Sequence, residues 1–441
     1  MVVKVIGAGL AGCEAAWQLA ERGISVELYE MKPVKYTPAH KYPGLCELVC
    51  SNSLKADRVE SAAGLLKEEM RRLGSLTMQA ASASRVPAGG ALAVCREEFS
   101  DYVTEKIKSH ENIRLISEEV TDIPDGYVII ATGPLTSDAL SKSIMKLVGE
   151  NYLYFHDAAA PIVMAESLDM SLVFEASRYD RGDADYLNCP MNKEEYLSFY
   201  NELINAESAP LHDFDSQSMK EFKVYEGCMP IEVLAKRGED TMRFGPLKPV
   251  GLTDPRTGKR PYACVQLRKE NNAGTLYNLV GFQTNLKFGE QKRVFSMITG
   301  LKDAEFVRYG VMHRNTYLNS PGLLDRHFCL KSDNRIYFAG QMTGVEGYIE
   351  SAASGIYAGM SLARRILGLE EITLPNDTML GALSEYIELG SASGFQPMGS
   401  NMGILPPLPQ KIRGKQEKYS VLAERGLQSL EKAIEINDIK A

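Results

Sequence analysis

Two cysteines, Cys50 and Cys228, lie in sequence settings that could make a thiol reactive. Cys50 precedes the polar run SNS, whose residue types often cap helices, and a helix N-terminus lowers the pKa of a neighbouring thiol. Cys228 stands a few residues before the basic pair Lys236 and Arg237. Because a thiolate is a strong nucleophile, these two positions are the candidates for covalent catalysis.

The cysteines and histidines show none of the spacings typical of metal sites or of dithiol enzymes. Cys46 and Cys50 form a CxxxC pattern, which differs from the CxxC of dithiol oxidoreductases and offers too few ligands for zinc. Eight cysteines scattered over the chain are typical of reduced thiols in a cytosolic protein. We expect no metal ion, since the histidines are equally isolated; those considered are His156, His212, His313 and His327.

A strand, a glycine-rich turn and a helix open the chain and could hold a dinucleotide. Residues 2–6 are mostly β-branched, residues 13–22 are helical in composition, and a second strand over residues 24–29 ends in an acid. Glycines in the turn let the backbone approach a pyrophosphate, and the acid can accept a ribose hydroxyl. The predicted dinucleotide-binding residues are Gly7, Ala8, Gly9, Leu10, Ala11, Gly12 and Glu30.

Two later strands favour FAD over NAD as this dinucleotide. Residues 127–134 form an apolar strand ending in ATG, as in flavoproteins, and residues 335–341 form another strand that leads into a helix near Ile349. The positive end of that helix would face the anionic region of a reduced flavin. No second GxGxxG follows a strand, so we expect NAD(P)H to bind transiently at the flavin and not in a Rossmann domain of its own. Further predicted FAD contacts are Gly133, Gly340, Gln341, Thr343, Gly347 and Tyr348.

The middle of the chain differs from both ends in composition and in its pattern of predicted elements. Between the ATG strand and the late strand, aromatic and Pro/Gly-rich stretches replace the alternation of strands and helices. We therefore expect an α/β fold: a Rossmann-type FAD-binding domain, glutathione-reductase-like, with an inserted α+β, strand-rich domain. The predicted boundaries are residues 1–140 and 326–441 for the FAD-binding domain and 141–325 for the inserted substrate domain.

Charge is divided unevenly along the 441 residues. The whole chain carries −8, which argues against a protein that coats nucleic acid non-specifically. Residues 228–316 hold 15 Lys and Arg against 8 Asp and Glu, a net charge of +7, so the remainder carries −15. This interval is either an ordinary solvated face or a surface that binds a polyanion. Because the chain shows no secretory leader and no apolar run of about 18 residues, we expect a soluble protein.

Several longer motifs resemble those of one family. ELVCSNSLK, YEGCMPIEVLA, RFGPLKPVGL and AGQMTGVEGYIESAASG, together with GAGLAG near the start, are similar to the bacterial folate- and FAD-dependent tRNA (uracil-5-)-methyltransferases. The resemblance runs nearly end to end, and the motifs that contain Cys50 and Cys228 lie outside the generic FAD signature. The related glucose-inhibited division protein, a wobble-uridine modification enzyme, shares the FAD half and is considerably longer.

The resemblance implies a cytoplasmic methyltransferase that acts on the T-arm of tRNA. In that reaction methylenetetrahydrofolate gives a one-carbon unit, and FAD reduced by NAD(P)H gives the electrons that convert the T-loop uridine to 5-methyluridine. Uracil C5 is a poor nucleophile until a thiolate adds at C6, and a base must then remove the C5 proton. The matching motifs assign Cys50 as the nucleophile and Cys228 as the base, and the two roles could be exchanged.

Two other functions stay open from the sequence. The chain could modify a wobble uridine, although it lacks the long C-terminal region of those enzymes, or it could be a non-catalytic flavin-containing RNA-binding or redox-sensing protein. His40, in the loop expected over the flavin, is a weaker candidate for contacting folate or uracil. Candidates for binding tRNA phosphates or the folate tail are Arg243, Lys248, Arg256, Lys259, Arg260, Lys287, Lys292 and Arg293.

Overall fold

Strands and helices alternate at both ends of the chain, and strands dominate its middle. A computed structural model describes residues 2–37, 39–149, 152–158, 160–180, 184–209, 229–269, 274–310, 312–390, 395, 397–410 and 412–439. The strands are β1 (Val2–Ile6), β2 (Ser25–Glu30), β3 (Ser53–Ala56), β4 (Arg85–Val86), β5 (Ala91–Val94), β6 (Ile113–Ser117), β7 (Val128–Ile130), β8 (Tyr152–Ala158), β9 (Ile162–Met164), β10 (Phe174–Glu175), β11 (Tyr186–Met191), β12 (Ala263–Lys269), β13 (Leu276–Leu279), β14 (Phe306–Arg308), β15 (Met312–Leu318), β16 (Cys329–Leu330) and β17 (Asp333–Phe338). The helices are α1 (Leu10–Ala20), α2 (Ala62–Arg72), α3 (Leu76–Ala83), α4 (Arg96–Ser109), α5 (Asp138–Val148), α6 (Lys193–Asn205), α7 (Ile231–Ala235), α8 (Thr241–Phe244), α9 (Phe288–Phe295), α10 (Tyr348–Ile366), α11 (Met379–Leu389) and α12 (Lys415–Asn437). Within the described ranges, no helix has the length and apolar character that crossing a membrane requires.

The two ends of the chain build one six-stranded sheet. Its strand order is β16-β17-β7-β1-β2-β6, with β16 antiparallel at one edge and the other strands parallel. Val3 and Val5 of the central strand β1 are fully buried, as expected for a parallel sheet that is covered on both faces. The carboxyl ends of β1 and β17 meet at one edge of the sheet, and the chain continues from there into α1 and α10.

The middle of the chain builds a second six-stranded sheet with its own core. Its order is β10-β11-β12-β13-β9-β14, and each neighbouring pair is antiparallel. Helices α6, α7 and α9 contribute buried side chains to this core, among them Phe199, Ile231 and Phe295. An antiparallel pair, β8 with β15, lies where the chain enters and leaves this region. The expected α/β fold with a strand-rich insertion is therefore confirmed, whereas the residue boundaries of the two domains stay a prediction.

A small sheet follows Cys50, where the sequence indicated a helix. Ser53–Ala56 form β3, which pairs with β5, and β4 pairs with the other edge of β5. The hydroxyl of Ser51 accepts the N–H of Ser53 at 3.1 Å and so forms a local turn that leads into an extended strand. Serine and asparagine favour such turns as much as helix caps. The prediction that a helix begins directly after Cys50 is wrong for this reason.

Helices α1 and α10 cross with their backbones almost in contact. A Cβ atom on Gly355 would lie 2.1 Å from the carbonyl oxygen of Ala11, and one on Gly359 would lie 2.8 Å from that of Ala15. Both distances are shorter than any normal contact, so only glycine fits at these two positions of α10. The crossing fixes the beginnings of the two helices relative to each other.

Replacement of Gly355 by alanine tests this crossing. Gly355→Ala is expected to lower the free energy of unfolding by about 1–3 kcal/mol, because the methyl group overlaps the Ala11 carbonyl. Gly289→Ala in α9 is the control, since an added Cβ meets no atom there within 4 Å; it should stabilise the helix by about 0.5–1 kcal/mol. Thermal unfolding of both variants measures the difference, and an equal shift in the two would contradict the close crossing.

Candidate active site

The turn between β1 and α1 is shaped by what surrounds each of its glycines. A side chain on Gly7, whose φ is +96°, would lie 2.7 Å from the carbonyl oxygen of Ala131. A Cβ on Gly12 would lie 1.8 Å from the Gly7 carbonyl oxygen, so Gly12 allows α1 to pack against the turn. At Gly9, in contrast, an added Cβ meets no described atom within 4 Å. The turn is closed on its protein side and open on the side that a pyrophosphate would occupy.

The carboxylate of Glu30, at the end of β2, faces the same turn. Its Oε2 accepts the N–H of Ala8 at 3.0 Å, and its Oε1 accepts the N–H of Lys32 at 3.0 Å. These bonds hold the carboxylate in the wall of a cleft, and each oxygen keeps a lone pair for a ribose hydroxyl. The residues present therefore fit the adenosine half of a dinucleotide.

This cleft lies at the first turns of both α1 and α10. It has a volume of about 1200 Å³, including the space at its mouth. The positive ends of two helices favour a ligand with negative charge. Of the predicted residues, those that line it are Gly7, Ala8, Gly9, Leu10, Ala11, Glu30, His40, Gly133, Gly340, Gln341 and Tyr348.

Three predicted cofactor contacts lie outside this lining. Gly12 packs against Gly7, as described above. Thr343 is fully buried and its hydroxyl donates to the carbonyl oxygen of Gly340 at 2.9 Å. Gly347 is the residue before α10 and has a φ of +124°, which favours glycine. Gly12, Thr343 and Gly347 therefore support the backbone of the cleft wall and do not line the cleft themselves.

His40 lies at the lip of the cleft. Its Nδ1 is 2.6 Å from the hydroxyl oxygen of Thr37. Burial lowers the pKa of the imidazole, so the ring is neutral at pH 7. A neutral ring can offer a hydrogen-bond donor or acceptor to a ligand without adding charge.

Cys50 lies beside the cleft and is bound to the first residue of α10. Its Sγ is 2.9 Å from the hydroxyl oxygen of Tyr348, and its N–H donates to the same oxygen at 2.8 Å. Tyr348 and Val49 both line the cleft, and Cys50 is half-buried. Burial, and then the nearby Cys50, raise the pKa of Tyr348 well above its usual range. The tyrosine thus stays protonated and can donate to the sulfur when Cys50 is a thiolate.

The neighbours of Cys50 are also bound to the second sheet. Arg268, in β12, donates from Nε to Oδ1 of Asn52 at 2.9 Å and from Nη2 to the hydroxyl oxygen of Ser51 at 2.7 Å. Asn52 donates in turn to two backbone carbonyls, one in β5 and one in β12, at 3.2 and 2.7 Å. Arg268 and Asn52 are both buried. Sequence reasoning missed this contact, because 216 residues separate the two side chains and Arg268 lies in an apolar strand.

Cys228 lies outside the described residues, with the whole of residues 210–228. Beyond this segment, the N–H of Ile231 donates to the carbonyl oxygen of Gln283 at 2.7 Å, so the start of α7 is bound to the loop that follows β13. The expectation that Cys50 and Cys228 share one site stays a prediction.

The eight predicted basic residues fall into two groups of four. One group is paired with carboxylates of neighbouring residues: Arg243 with Asp240, Arg256 with Asp254, Lys287 with Glu207, and Arg293 with Glu290 and Glu202. The other group is exposed and has no salt bridge to any described carboxylate: Lys248, Lys259, Arg260 and Lys292. The second group can bind an anion without first breaking an ion pair.

Comparison with known proteins agrees with this geometry. The family model of glucose inhibited division protein A matches residues 2–370. The methylenetetrahydrofolate--tRNA-(uracil-5-)-methyltransferase TrmFO of Acetivibrio thermocellus is 59% identical over 433 residues, which are 98% of this chain and 98% of that protein. The protein of the same name from Listeria innocua is 58% identical over 433 residues, 98% of this chain and 99% of that protein. The solved structure of Aquifex aeolicus GidA has a TM-score of 0.67 at 16% identity and covers 98% of this chain, which spans 75% of that one.

The fold and the cleft together define a Rossmann-type flavoprotein with the fold of FAD-dependent oxidoreductases. The glycine turn, the acid at the end of β2 and the second helix N-terminus all meet at one place, as this class requires. The chain belongs to the glucose inhibited division protein A family, and within it to the group named TrmFO. The resemblance drawn from the sequence motifs is confirmed.

Two alanine substitutions in the glycine turn should separate cofactor binding from folding. Gly9→Ala is expected to leave the stability of the apoprotein unchanged and to weaken FAD binding by about 1–3 kcal/mol, the usual cost of an extra methyl group in a filled site. Gly12→Ala should destabilise the apoprotein itself, because its Cβ overlaps the Gly7 carbonyl. Flavin absorbance and thermal unfolding of the purified proteins measure the two effects. Full flavin content in Gly9→Ala would contradict the position of the cofactor.

Removal of the Arg268 guanidinium should loosen the loop that carries Cys50. Arg268→Met leaves a buried oxygen of Asn52 without its donor, which should cost about 1–3 kcal/mol of stability. The alkylation of Cys50 by iodoacetamide, followed by peptide mass spectrometry, should become faster because the loop is less ordered. Arg114→Met on β6 is the control, since that side chain is 77% exposed. If Arg268→Met matched this control in stability and in alkylation rate, the contact would have no role in placing Cys50.

Proposed function

We propose that this chain is a methylenetetrahydrofolate--tRNA-(uracil-5-)-methyltransferase that converts the T-loop uridine of tRNA to 5-methyluridine. Two relatives that match it over nearly their whole length carry this enzyme name. In the reaction, the hydrogen on uracil C5 is replaced by a methyl group whose carbon comes from the folate. We infer that the reaction takes place in the cytoplasm, where tRNA, folate and NAD(P)H are available together.

The observation that carries this proposal is the position of Cys50 at the cleft. Its half-buried thiol contacts Tyr348 and follows Val49, both residues of the cleft wall, which puts the sulfur next to the space that a base would enter. Addition of the thiolate to uracil C6 moves electrons onto C5, which then attacks the one-carbon unit. The hydroxyl of Tyr348 can hold the thiolate in place before this addition.

A second group must remove the proton from C5 before Cys50 leaves C6. We assign this step to Cys228 because it lies in the second cysteine motif, YEGCMPIEVLA. The two cysteines could exchange these roles, since each is a thiol that can be a nucleophile or a base. His40, neutral and at the lip of the cleft, is the candidate for a hydrogen bond to the folate or the uracil.

The residues of the cleft suit FAD. The turn from Gly7 to Gly12 would hold the pyrophosphate, Glu30 the ribose of the adenosine half, and the first turn of α10 the flavin. FAD, once bound and reduced by NAD(P)H, supplies the two electrons that turn the transferred carbon into a methyl group.

The exposed basic residues without carboxylate partners are the candidates for contacts to tRNA. These are Lys248, Lys259, Arg260 and Lys292, all of them in the second sheet region. Phosphate contacts of this kind position the RNA and make its affinity depend on salt. The four basic residues that are paired are weaker candidates, because described carboxylates already neutralise them.

Replacement of Cys50 tests the chemistry. Cys50→Ala is expected to keep FAD and its absorbance and to lose methyl transfer by at least about a thousandfold, as for other enzymes that lose their nucleophile. It should also lose covalent capture of an RNA that contains fluorouridine at the target. The assay combines NADPH, methylenetetrahydrofolate and unmodified tRNA transcript, with nucleoside analysis of the product.

Cys95→Ala is the matched control for this experiment. Its thiol is buried at the end of β5, so the variant should keep both FAD and methyl transfer. Full methyl transfer by Cys50→Ala would rule out the nucleophile assignment. A modified base at the wobble position alone, from the wild-type protein, would favour the other branch of the family.

A further inference from the structure

A second cleft lies where the small sheet of β3, β4 and β5 faces the second six-stranded sheet. We call it the junction cleft. One wall contains Lys55 and Arg58, the opposite wall contains residues 177–179 with Tyr186 and Gln266, and residues 89–91 form the floor. Its volume is about 1300 Å³, including the solvent at its mouth. Neither wall contains a residue that was assigned to the flavin cleft.

The junction cleft has three cationic side chains in its lining, and two of them have no salt bridge to a described carboxylate. Lys55, Arg58 and Arg178 line it and no described Asp or Glu does, while the carboxylate of Asp185 accepts the N–H of Gly89, a residue of the lining. Arg178 donates to Oε1 of Gln266 at 2.9 Å and to a backbone carbonyl at 3.1 Å, and neither acceptor is charged. Arg58 is exposed and has no salt bridge within the described ranges. Of the three cations, Lys55 alone forms a salt bridge to a described carboxylate, that of Glu350, at 2.7 Å.

The floor and the walls differ in the size of their side chains. The floor is formed by the run Gly89-Gly90-Ala91, and a Cβ on Gly90 would meet no atom within 4 Å. On the opposite wall, Tyr179 is 54% exposed and Tyr186 is half-buried. A floor of small residues with aromatic rings and cations beside it suits a groove that follows a single nucleic-acid strand.

The junction cleft adjoins both the loop that carries Cys50 and Lys248, one of the four exposed basic residues without a salt bridge to a described carboxylate. The strand β3, which carries Lys55, begins three residues after Cys50. On the other side, the guanidinium of Arg178 donates to the backbone carbonyl of Lys248. A strand of phosphates could therefore pass from Lys248 along the junction cleft toward the thiol.

We propose that the junction cleft binds the phosphate backbone of the tRNA strand that carries the target uridine. The inference rests on the proposed function, and it adds Arg58, Arg178 and Lys55 to the surface that binds RNA. A strand seated there would leave its next base free to leave the stack and enter the flavin cleft beside Cys50, and this unstacking costs free energy. The phosphate contacts offset part of this cost.

An RNA strand suits the junction cleft better than the anionic tail of the folate. The folate must reach the flavin cleft with its one-carbon unit, whereas the cations of the junction cleft continue away from it to Lys248. The exposed ring of Tyr179 also offers a surface for stacking a base, which a glutamate tail does not use.

Neutralising Arg58 tests the charge of the junction cleft. In the FAD-loaded protein, Arg58→Gln should raise KM for unmodified tRNA transcript several-fold and leave kcat nearly unchanged. The slope of log affinity against log salt should fall by about 1, as when one phosphate contact is lost. Lys108→Gln, which removes an exposed cation from the last turn of α4, is the control and should change neither quantity.

A pair of substitutions at Gly90 tests the same cleft without removing any contact. The backbone there is not left-handed and an added Cβ has space, so Gly90→Ala should fold and bind tRNA like the wild-type protein. Gly90→Asp puts a carboxylate into the cleft and should weaken tRNA binding more than Arg58→Gln does, with FAD content unchanged. A loss of tRNA affinity in Gly90→Ala equal to that in Gly90→Asp would contradict a role for charge.

The outcomes separate this inference from the proposed function. Unchanged tRNA affinity and salt slope in both Arg58→Gln and Gly90→Asp would overturn the inference. A raised KM for methylenetetrahydrofolate with unchanged tRNA affinity would also overturn it, because the cleft would then hold the folate tail. If the wild-type protein formed no 5-methyluridine, the proposed function would fail, and tRNA binding would still report on the junction cleft.

Discussion

The close crossing of α1 and α10 is the contact on which the site depends. Gly355 and Gly359 allow the backbone of α10 to touch that of α1, and Gly12 allows α1 to touch the turn at Gly7. Both helices begin at the same edge of the parallel sheet, so their positive ends face one cleft. A bulkier side chain at the crossing would separate these two ends. The close crossing of α1 and α10 thus determines both the shape of the cofactor cleft and the position of Tyr348.

The thiol of Cys50 takes its position from three parts of the chain that are distant in sequence. Tyr348, in α10, contacts the sulfur, and Arg268, in β12, binds the next two residues. Arg96, in α4, donates to the carbonyl oxygen of Leu48 at 2.6 Å. Helices α10 and α4 belong to the region of the parallel sheet, and β12 belongs to the insertion. Since one loop receives all three contacts, a movement of the insertion relative to the parallel sheet would also move the thiol.

The sequence predicted what local spacing determines and missed what tertiary contacts determine. The glycine turn and Glu30 were found because a tight turn and an acid at a strand end leave a local pattern. The helix expected after Cys50 was wrong, because its serines and asparagine also suit a turn into a strand. Arg268 left no signal, since a buried arginine in an apolar strand is recognised only by its distant partner.

Local pairing also explains why summed charge is a poor guide to where RNA binds. The interval with a net charge of +7 contains basic residues that neighbouring carboxylates already neutralise, such as Arg256 and Arg293. The junction cleft draws Arg58 and Arg178 from outside that interval, in the part of the chain that sums to −15. At physiological ionic strength charges are screened beyond about 8 Å, so a phosphate responds to the cations beside it. The surface that attracts a polyanion is therefore the one where cations lack carboxylate partners, even in an acidic stretch of sequence.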